Sequence, residues 1–250
     1  MFEAVADSFT GLVRQRNEDA YIYAWDECGQ YLLTAVADGI GSTRNGDVAS
    51  LCTLQLLTRA WRNHLFPKTV KQEAVREFLT SAFSRINRRL FEINSVTDKL
   101  YELDSLGTTL TAAIFMKDVM IAANAGDSPL FRIRDGRIKQ LTFDHNLANE
   151  MFRCGRIAEK DKISLEYGRM LTRFIGPKDE VEAECCISNL KSGDRFLLCS
   201  DGLTLHVEPD EICKILTRER NISEALKILL GKTIHRGAMD NVTVVLVRVL

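Results

Sequence analysis

Apolar and polar residues alternate loosely from Met1 to Phe9 and again from Tyr21 to Trp25, and an apolar run follows from Tyr31 to Ala37. Alternation of this kind predicts strands, and the first two are expected to pair with the third. Beyond Asp47 the period lengthens. Val48, Leu51, Leu54, Leu57, Trp61 and Leu65 recur at three and four residues, which is the spacing of one helix face. A second helix is expected from a capping box of Thr69 with Gln72, its apolar stripe carried by Val75, Phe78, Ala82, Ile86, Leu90 and Ile93. Both stripes read as core against a sheet, and Arg85, Arg88 and Arg89 as a solvated face.

The period of two returns between Gly107 and Thr142 in GTTLTAAIF, VMIAANA, PLFRIR and RIKQLT, which predicts an antiparallel meander. From His145 to Gly176 strand signals fade, charge rises, and only a short helical spacing around Leu147, Met151 and Cys154 remains. Val181 to Ile187 and Arg195 to Ser200 read as strands joined by a KSGD turn. Helices are then expected near Pro209 and from Ser223 to Gly231, before a last strand that opens at Asp240.

Composition narrows the classes. At 250 residues and 46% hydrophobic the chain can build one sizeable core, and no linker, repeat or change of composition divides it, so a single domain over 1–250 is expected. A formal net charge of -1 gives no case for nucleic acid or an anionic membrane. The opening MFEAVADSF has no basic start before an apolar core, and no apolar run nears the roughly 20 residues of a membrane helix, so a cytoplasmic location is expected. Seven cysteines without a CxxC pair suggest neither a disulfide framework nor a zinc site, and Cys185 and Cys186 are expected as buried free thiols.

The chemistry lies where strands end. The run to Ala37 stops on Asp38-Gly39, and an Asp at the mouth of a buried strand is costly unless its charge is paired or bound to a cation. Gly39 can turn its own carbonyl toward such an ion, while Gly41 and Gly46 keep the loop open. An Asp-Gly is also a turn signal, and Asp135-Gly136 between LFRIR and RIKQLT reads as only that. Recurrence shifts the balance toward a metal: RFLLCSDG stops on Asp201-Gly202, Glu18-Asp19 precedes a strand, and Asp240-Asn241 opens one. Four acidic strand ends without His or Cys suit a hard divalent ion, Mg2+ or Mn2+, rather than zinc.

Seven motifs occur in order along the chain: RQRNED at Arg14 to Asp19, VADGIG at Val36 to Gly41, GTT at Gly107 to Thr109, ANAGDS at Ala123 to Ser128, LTFDHN at Leu141 to Asn146, CSDGLT at Cys199 to Thr204, and DN at Asp240-Asn241. Together they resemble the PP2C (PPM) family of metal-dependent serine/threonine protein phosphatases, bacterial members above all. The resemblance implies an α+β fold, a β-sandwich of two antiparallel sheets flanked by pairs of α-helices, with a flap over about 145–176. It implies two ions bridged by Asp38, one held with Glu18 and the Gly39 carbonyl, the other with Asp201 and Asp240, which activate a water for in-line attack on phosphorus. Asp19 would orient a water from behind, Arg14 would grip phosphate oxygens, and Asp127 would serve a third ion. Arg14 read alone is a surface salt bridge, Asp127 a turn residue, and Thr108 and Thr109 ordinary strand residues.

The chain departs from the family pattern at Ile40, where some members carry a His proposed as general acid, at Leu205, where many carry an Asp, and in the loop STRNGD. The implied partners are a phosphorylated protein and a cognate serine/threonine kinase, the implied state a monomer, and one implied setting type VI secretion. The alternative is a catalytically weak regulatory module of the same fold, which would be expected to lack core ligands. A nucleotide-binding reading fails because the loop has no GxxxxGK[ST] and no lysine.

Overall fold

The computed structural model describes residues 1–40, 45–64, 66, 70–101, 105–161 and 168–250. Among the described residues ten strands form two antiparallel five-stranded sheets. The first orders β2 (Asp19–Trp25), β3 (Leu32–Asp38), β4 (Leu110–Phe115), β5 (Val119–Ala125) and β8 (Glu184–Asn189). The second orders β1 (Phe2–Phe9), β10 (Val242–Val249), β9 (Arg195–Cys199), β6 (Leu130–Arg134) and β7 (Arg137–Gln140). The helices are α1 (Gly46–Arg62), α2 (Gln72–Tyr101), α3 (Leu147–Arg153), α4 (Asp201–Thr204), α5 (Pro209–Arg218) and α6 (Ile222–His235).

Between the sheets Leu32, Val36, Phe115 and Met120 meet Phe196, Leu198, Val245 and Val247. The other face of the first sheet carries Leu33, Ala35, Ile114 and Ile121 against Leu54, Leu57, Phe83 and Leu90 of α1 and α2. The second sheet turns Leu197, Val244 and Leu246 toward Ile212, Leu216 and Leu229 of α5 and α6. This is the expected four-layer α+β sandwich. It explains why β3, β4 and β5 read as unbroken apolar runs: a central strand between a second sheet and a helix layer is covered on both faces.

Several expectations are corrected. β1 pairs with β10, from Phe2 opposite Val249 to Phe9 opposite Val242, and not with β3. Alternation says which face a side chain takes but not which strand lies beside it. The meander is two hairpins in different sheets, because the chain crosses over after β5 and β6 pairs with β9 and β7. Gly126 makes that crossing at φ +131, where a Cβ would lie 2.5 Å from that of Thr109. The Asp135-Gly136 hairpin forms as expected, with φ of 52 and 69 at the two residues.

On α1 the buried face uses Ala49, Ser50 and Thr53 beside Leu54, Leu57 and Trp61, which leaves Val48 and Leu51 exposed. Small residues at close helix-sheet contacts carry little hydrophobic signal. α6 begins at Ile222 under an Asn221 cap and runs through Gly231 to His235, since packing outweighs the roughly 1 kcal/mol that a helix-interior Gly costs. Val181 and Ala183 pack on the core ahead of β8, which starts at Glu184. Cys185 and Cys186 face opposite layers and are only partly buried. Leu65 and Thr69, with the capping box, and Gly41 lie outside the described residues.

Among its described residues the segment expected as a flap contains α3 and a 3-10 turn over Glu159–Asp161, with 162–167 outside the described residues. Its root is fixed by two buried asparagines seven residues apart on α2, a pair the helical pattern gave no reason to single out. Asn87 accepts from the Gly176 amide at 2.8 Å and donates to the Lys178 carbonyl at 2.9 Å. Asn94 donates to the Gly176 carbonyl at 3.0 Å and to that of Leu106 at 2.9 Å. No helix of the described residues is long and apolar enough to cross a membrane.

Candidate metal centre

Antiparallel pairing decides which strand ends meet. Asp19 opens β2 opposite Asp38, which closes β3, and Thr108 bridges to Gly39 just ahead of β4. In the second sheet the end of β9 lies beside the start of β10, which brings together Asp201 and Asp240, each just outside its strand. All these ends lie at one rim of the sandwich. Asp38 has the parity of Leu32 and Val36, which face the other sheet, so its carboxylate opens into the end of the inter-sheet space.

The backbone around Asp38 is fixed by residues read from sequence as plain strand. Its amide donates to Thr109 Oγ1 at 2.9 Å, and its carbonyl accepts from Thr108 Oγ1 at 2.9 Å and from the Thr109 amide at 2.8 Å. Thr109 Oγ1 lies 2.7 Å from Ser128 Oγ, which ties the Asp127 turn to the same point. Opposite, the Glu18 amide donates to Asn241 Oδ1 at 2.9 Å, and Ser200 Oγ donates to Asp19 Oδ2 at 2.6 Å. Ser128, Ser200 and Asn241 each adjoin a carboxylate within a quoted motif, which was their only signal, whereas Thr108 and Thr109 lie in GTT with no carboxylate beside them.

Glu18 and Gly39 flank one small space. The Gly39 amide donates to the Glu18 carbonyl at 3.0 Å. A Cβ at Gly46 would stand 3.0 Å from Glu18 Cδ and 3.1 Å from the Gly39 oxygen, so the absent side chain leaves room between a carboxylate and a carbonyl. Arg14 donates to Asp240 Oδ2 at 2.8 Å, with side-chain exposures of 47% and 30%. Arg14 thus makes the ion pair that it reads as alone, and its partner is a carboxylate of the rim.

Among the described residues the rim's carboxylates raise one another's pKa. Burial, followed by the fields of Asp19, Asp201, Asp127 and Asp240, holds the Asp38 carboxyl well above the usual range. Burial raises Asp201 too, with Asp240 as the next cause. Glu18 is raised by burial against the pull of Arg14, with Asp47 and Asp240 adding to it. Burial pushes Asp19 to about 6, and its Oδ1 is buried without a hydrogen-bond partner. Asp127 is pushed to about 8 by burial, then by Asp201 and Asp144. Asp127, Asp144 and Asp201 line a recess of about 260 Å3 with Arg169, Thr204 and Leu205, so Leu205 adds an apolar side chain to its wall. Ile40 packs near Phe174 around Gly107 and offers no acid.

A cation fits this environment: it would repay the desolvation of several carboxylates and take up the orphan oxygen of Asp19 directly or through water. Among the described residues no three His, Cys, Asp or Glu side chains form a group that could hold an ion unaided. An ion here would therefore take part of its shell from backbone carbonyls or water, as suits Mg2+, which usually keeps several waters and takes one or two carboxylates.

A pH dependence follows for the cation-free protein. Asp19 and Asp127 bind protons more tightly folded, at about 6 and about 8, than an unfolded Asp does. Their contribution to stability is full below the unfolded value of about 4 and is lost as pH rises through those two values. With chelator present, the melting temperature is expected to fall between about pH 5 and 8. Added Mn2+ should raise it most at the alkaline end. A flat profile in calorimetry would refute the arrangement.

The sequence pattern of the family described as protein phosphatase 2C matches residues 13–230. The serine/threonine phosphatase stp of Listeria monocytogenes is 34% identical over 237 residues, which cover 95% of this chain and 92% of that protein. The structure of the S. agalactiae serine/threonine phosphatase superposes with a TM-score of 0.90 at 29% identity over 100% of both chains. The catalytic domain of the phosphatase PstP in complex with 2 manganese ions gives 0.79 at 28%, covering 99% of this chain and 97% of that one. PppA, a regulatory component of type VI secretion in Pseudomonas aeruginosa, gives 0.83 at 26%, covering 100% and 98%. A match of that length, with a relative of that identity, makes this chain a member of the protein phosphatase 2C family, the metal-dependent serine/threonine protein phosphatases.

Proposed function

We propose that this protein serine/threonine phosphatase works with two divalent cations, Mn2+ or Mg2+, held by the carboxylates of the rim. The observation that carries the reading is the gathering of Asp38, Asp201 and Asp240 at one end of the sandwich, with burial and mutual repulsion raising the carboxyls of Asp38 and Asp201. Asp38 would be shared between the ions, Glu18 and the Gly39 carbonyl would hold one, and Asp201 and Asp240 the other. When bound, the pair supplies an activated water and neutralises phosphate charge.

The chain's own groups do the remaining work. Arg14 offers a planar fork for two phosphoryl oxygens, within the fields of Asp240, Glu18 and Asp38. Asp19, braced by Ser200, accepts a hydrogen bond from a water and orients it. Asp127 and Asp144 form an annex for a third ion, and Arg169 lies across that recess. With Ile40 in place of an acid, the leaving oxygen takes its proton from water.

The same proposal treats 1–250 as one domain with a flap over about 145–176, acting as a cytoplasmic monomer on phosphoproteins made by a serine/threonine kinase. The likeness to PppA supports type VI secretion as a narrower setting for it. Hydrolysis of p-nitrophenyl phosphate with Mn2+, with and without chelator, tests the core: a cation-dependent rate is expected. A rate that survives chelation, or none under any cation, would overturn the reading.

A further inference from the structure

Two loops beside the candidate centre end in the same way. Leu12 and Val13 precede Arg14, and Met239 precedes Asp240, so on each loop an apolar tip is followed directly by one member of the Arg14–Asp240 ion pair. Leu12, Val13 and Met239 are 65%, 66% and 60% exposed, and the stretches 10–13 and 237–239 contain no charged residue.

The loops are held firmly against each other. The Leu12 amide donates to the Ala238 carbonyl at 2.8 Å. Gly11 sits at φ +83, where a Cβ would lie 2.3 Å from the Asp240 carbonyl oxygen and 2.6 Å from that of Ala238. Ala238 itself takes φ 33, a left-handed conformation that a non-glycine residue adopts at some cost. The next loop residue is pinned as well, since the Met239 amide donates to His206 Nε2 at 3.1 Å. Three large apolar side chains are therefore presented to solvent from a rigid support, next to the Arg14 guanidinium proposed to engage a phosphoryl group. Isolated exposed apolar residues are ordinary, but a group of them bordering a polar site marks a contact surface.

We propose that Leu12, Val13 and Met239 form a specificity rim that takes an apolar side chain flanking the phosphoserine or phosphothreonine of the substrate protein. The inference rests on Arg14 holding the phosphoryl group, as proposed above. Neighbouring residues of an extended peptide are about 3.3–3.6 Å apart along the chain, so a phosphoresidue anchored at Arg14 brings its immediate neighbours onto the adjacent tips. A charged side chain there would lose hydration against apolar surface, whereas Leu or Ile would bury part of its own.

The test uses phosphothreonine peptides that differ only in the flanking residues, apolar against Lys or Asp, with p-nitrophenyl phosphate as a substrate that has no flanks. The wild-type protein with Mn2+ is expected to favour the apolar flank by about fivefold in kcat/KM, at or below the low end of what a closed pocket achieves for one methylene. Leu12→Ser with Val13→Ser, and separately Met239→Ser, should remove most of that preference through KM while leaving p-nitrophenyl phosphate hydrolysis unchanged. Equal rates on all flanks in the wild type, or a preference that survives every variant, would overturn the rim. Loss of p-nitrophenyl phosphate hydrolysis in the wild type would instead count against the metal-centre reading.

Discussion

Asp38→Asn is expected to lower cation-dependent hydrolysis of a phosphothreonine peptide by at least about a hundredfold, since changing even the outer partners of a metal ligand costs ten- to a hundredfold. The same change should raise the melting temperature of the cation-free protein at neutral pH. Burial, then Asp19, Asp201, Asp127 and Asp240, disfavour the charged form of Asp38 in the fold, while the unfolded chain ionises it freely. Its folded value lies above its unfolded one, so the wild-type protein loses stability as pH rises, and a neutral amide avoids that loss. The difference between variant and wild type should therefore widen with pH when chelator is present. Mn2+ should then reverse the order, because the wild type gains stability from an ion that the variant holds poorly. Calorimetry with and without Mn2+, beside peptide kinetics, reads both effects. A variant that is less stable than wild type without cations, or that retains activity, would show that Asp38 is not the electrostatic centre of the rim. Exchange of function for stability at one residue is expected where a site is built of mutually repelling charges.

Gly39→Ala is the second change with a large expected effect, and it acts through shape alone. A Cβ at this position would lie 2.2 Å from the Gly46 carbonyl oxygen and 2.6 Å from that of Glu18, both backbone atoms that cannot rotate away. The start of α1 and the approach to β2 must move apart to admit it. Such overpacking typically destabilises by about 1–3 kcal/mol, and here it pushes residue 39 away from Glu18, the pair proposed for one ion. The melting temperature is expected to fall, and the rise produced by Mn2+ to shrink, with activity lost in parallel. An Ala variant with an unchanged response to Mn2+ would mean that the space between Glu18 and Gly39 does not hold a cation.

How much of this was legible depended on the kind of signal. The strands that bury both faces, β3, β4, β5 and β9, were plain from their apolar runs, and the stripe of α2 was plain from its spacing. Partnership was not. β1 and β2 look alike in sequence yet lie in different sheets, and the crossing after β5 hides in a single glycine whose φ of +131 is a tertiary fact. On α1 the exposed Val48 and Leu51 misled because the small residues Ala49, Ser50 and Thr53 share the buried face with Leu54, Leu57 and Trp61.

The candidate site divides along the same line. Asp38, Asp201, Asp240 and Glu18 could be named because carboxylates recur where apolar runs end or begin, which a single Asp-Gly turn does not explain. Asn87 and Asn94, which hold the backbone at Gly176, and Thr108, Thr109 and Ser200, which fix Asp38 and Asp19, could not be named for a role. A polar residue in a helix or strand has a satisfactory local explanation until its distant partner is known.

By itself, then, the chain's sequence determined most strands and helices and the acidic strand ends, because burial period and charge at a strand terminus are local properties, and its motifs carried the resemblance that implied the family and the layers. Only the tertiary structure decided that Arg14 reaches Asp240, that Gly46 leaves room between Glu18 and Gly39, and that two apolar loop tips stand together beside them. Those facts depend on how antiparallel registers align the ends of strands far apart in sequence, and no local pattern encodes that alignment.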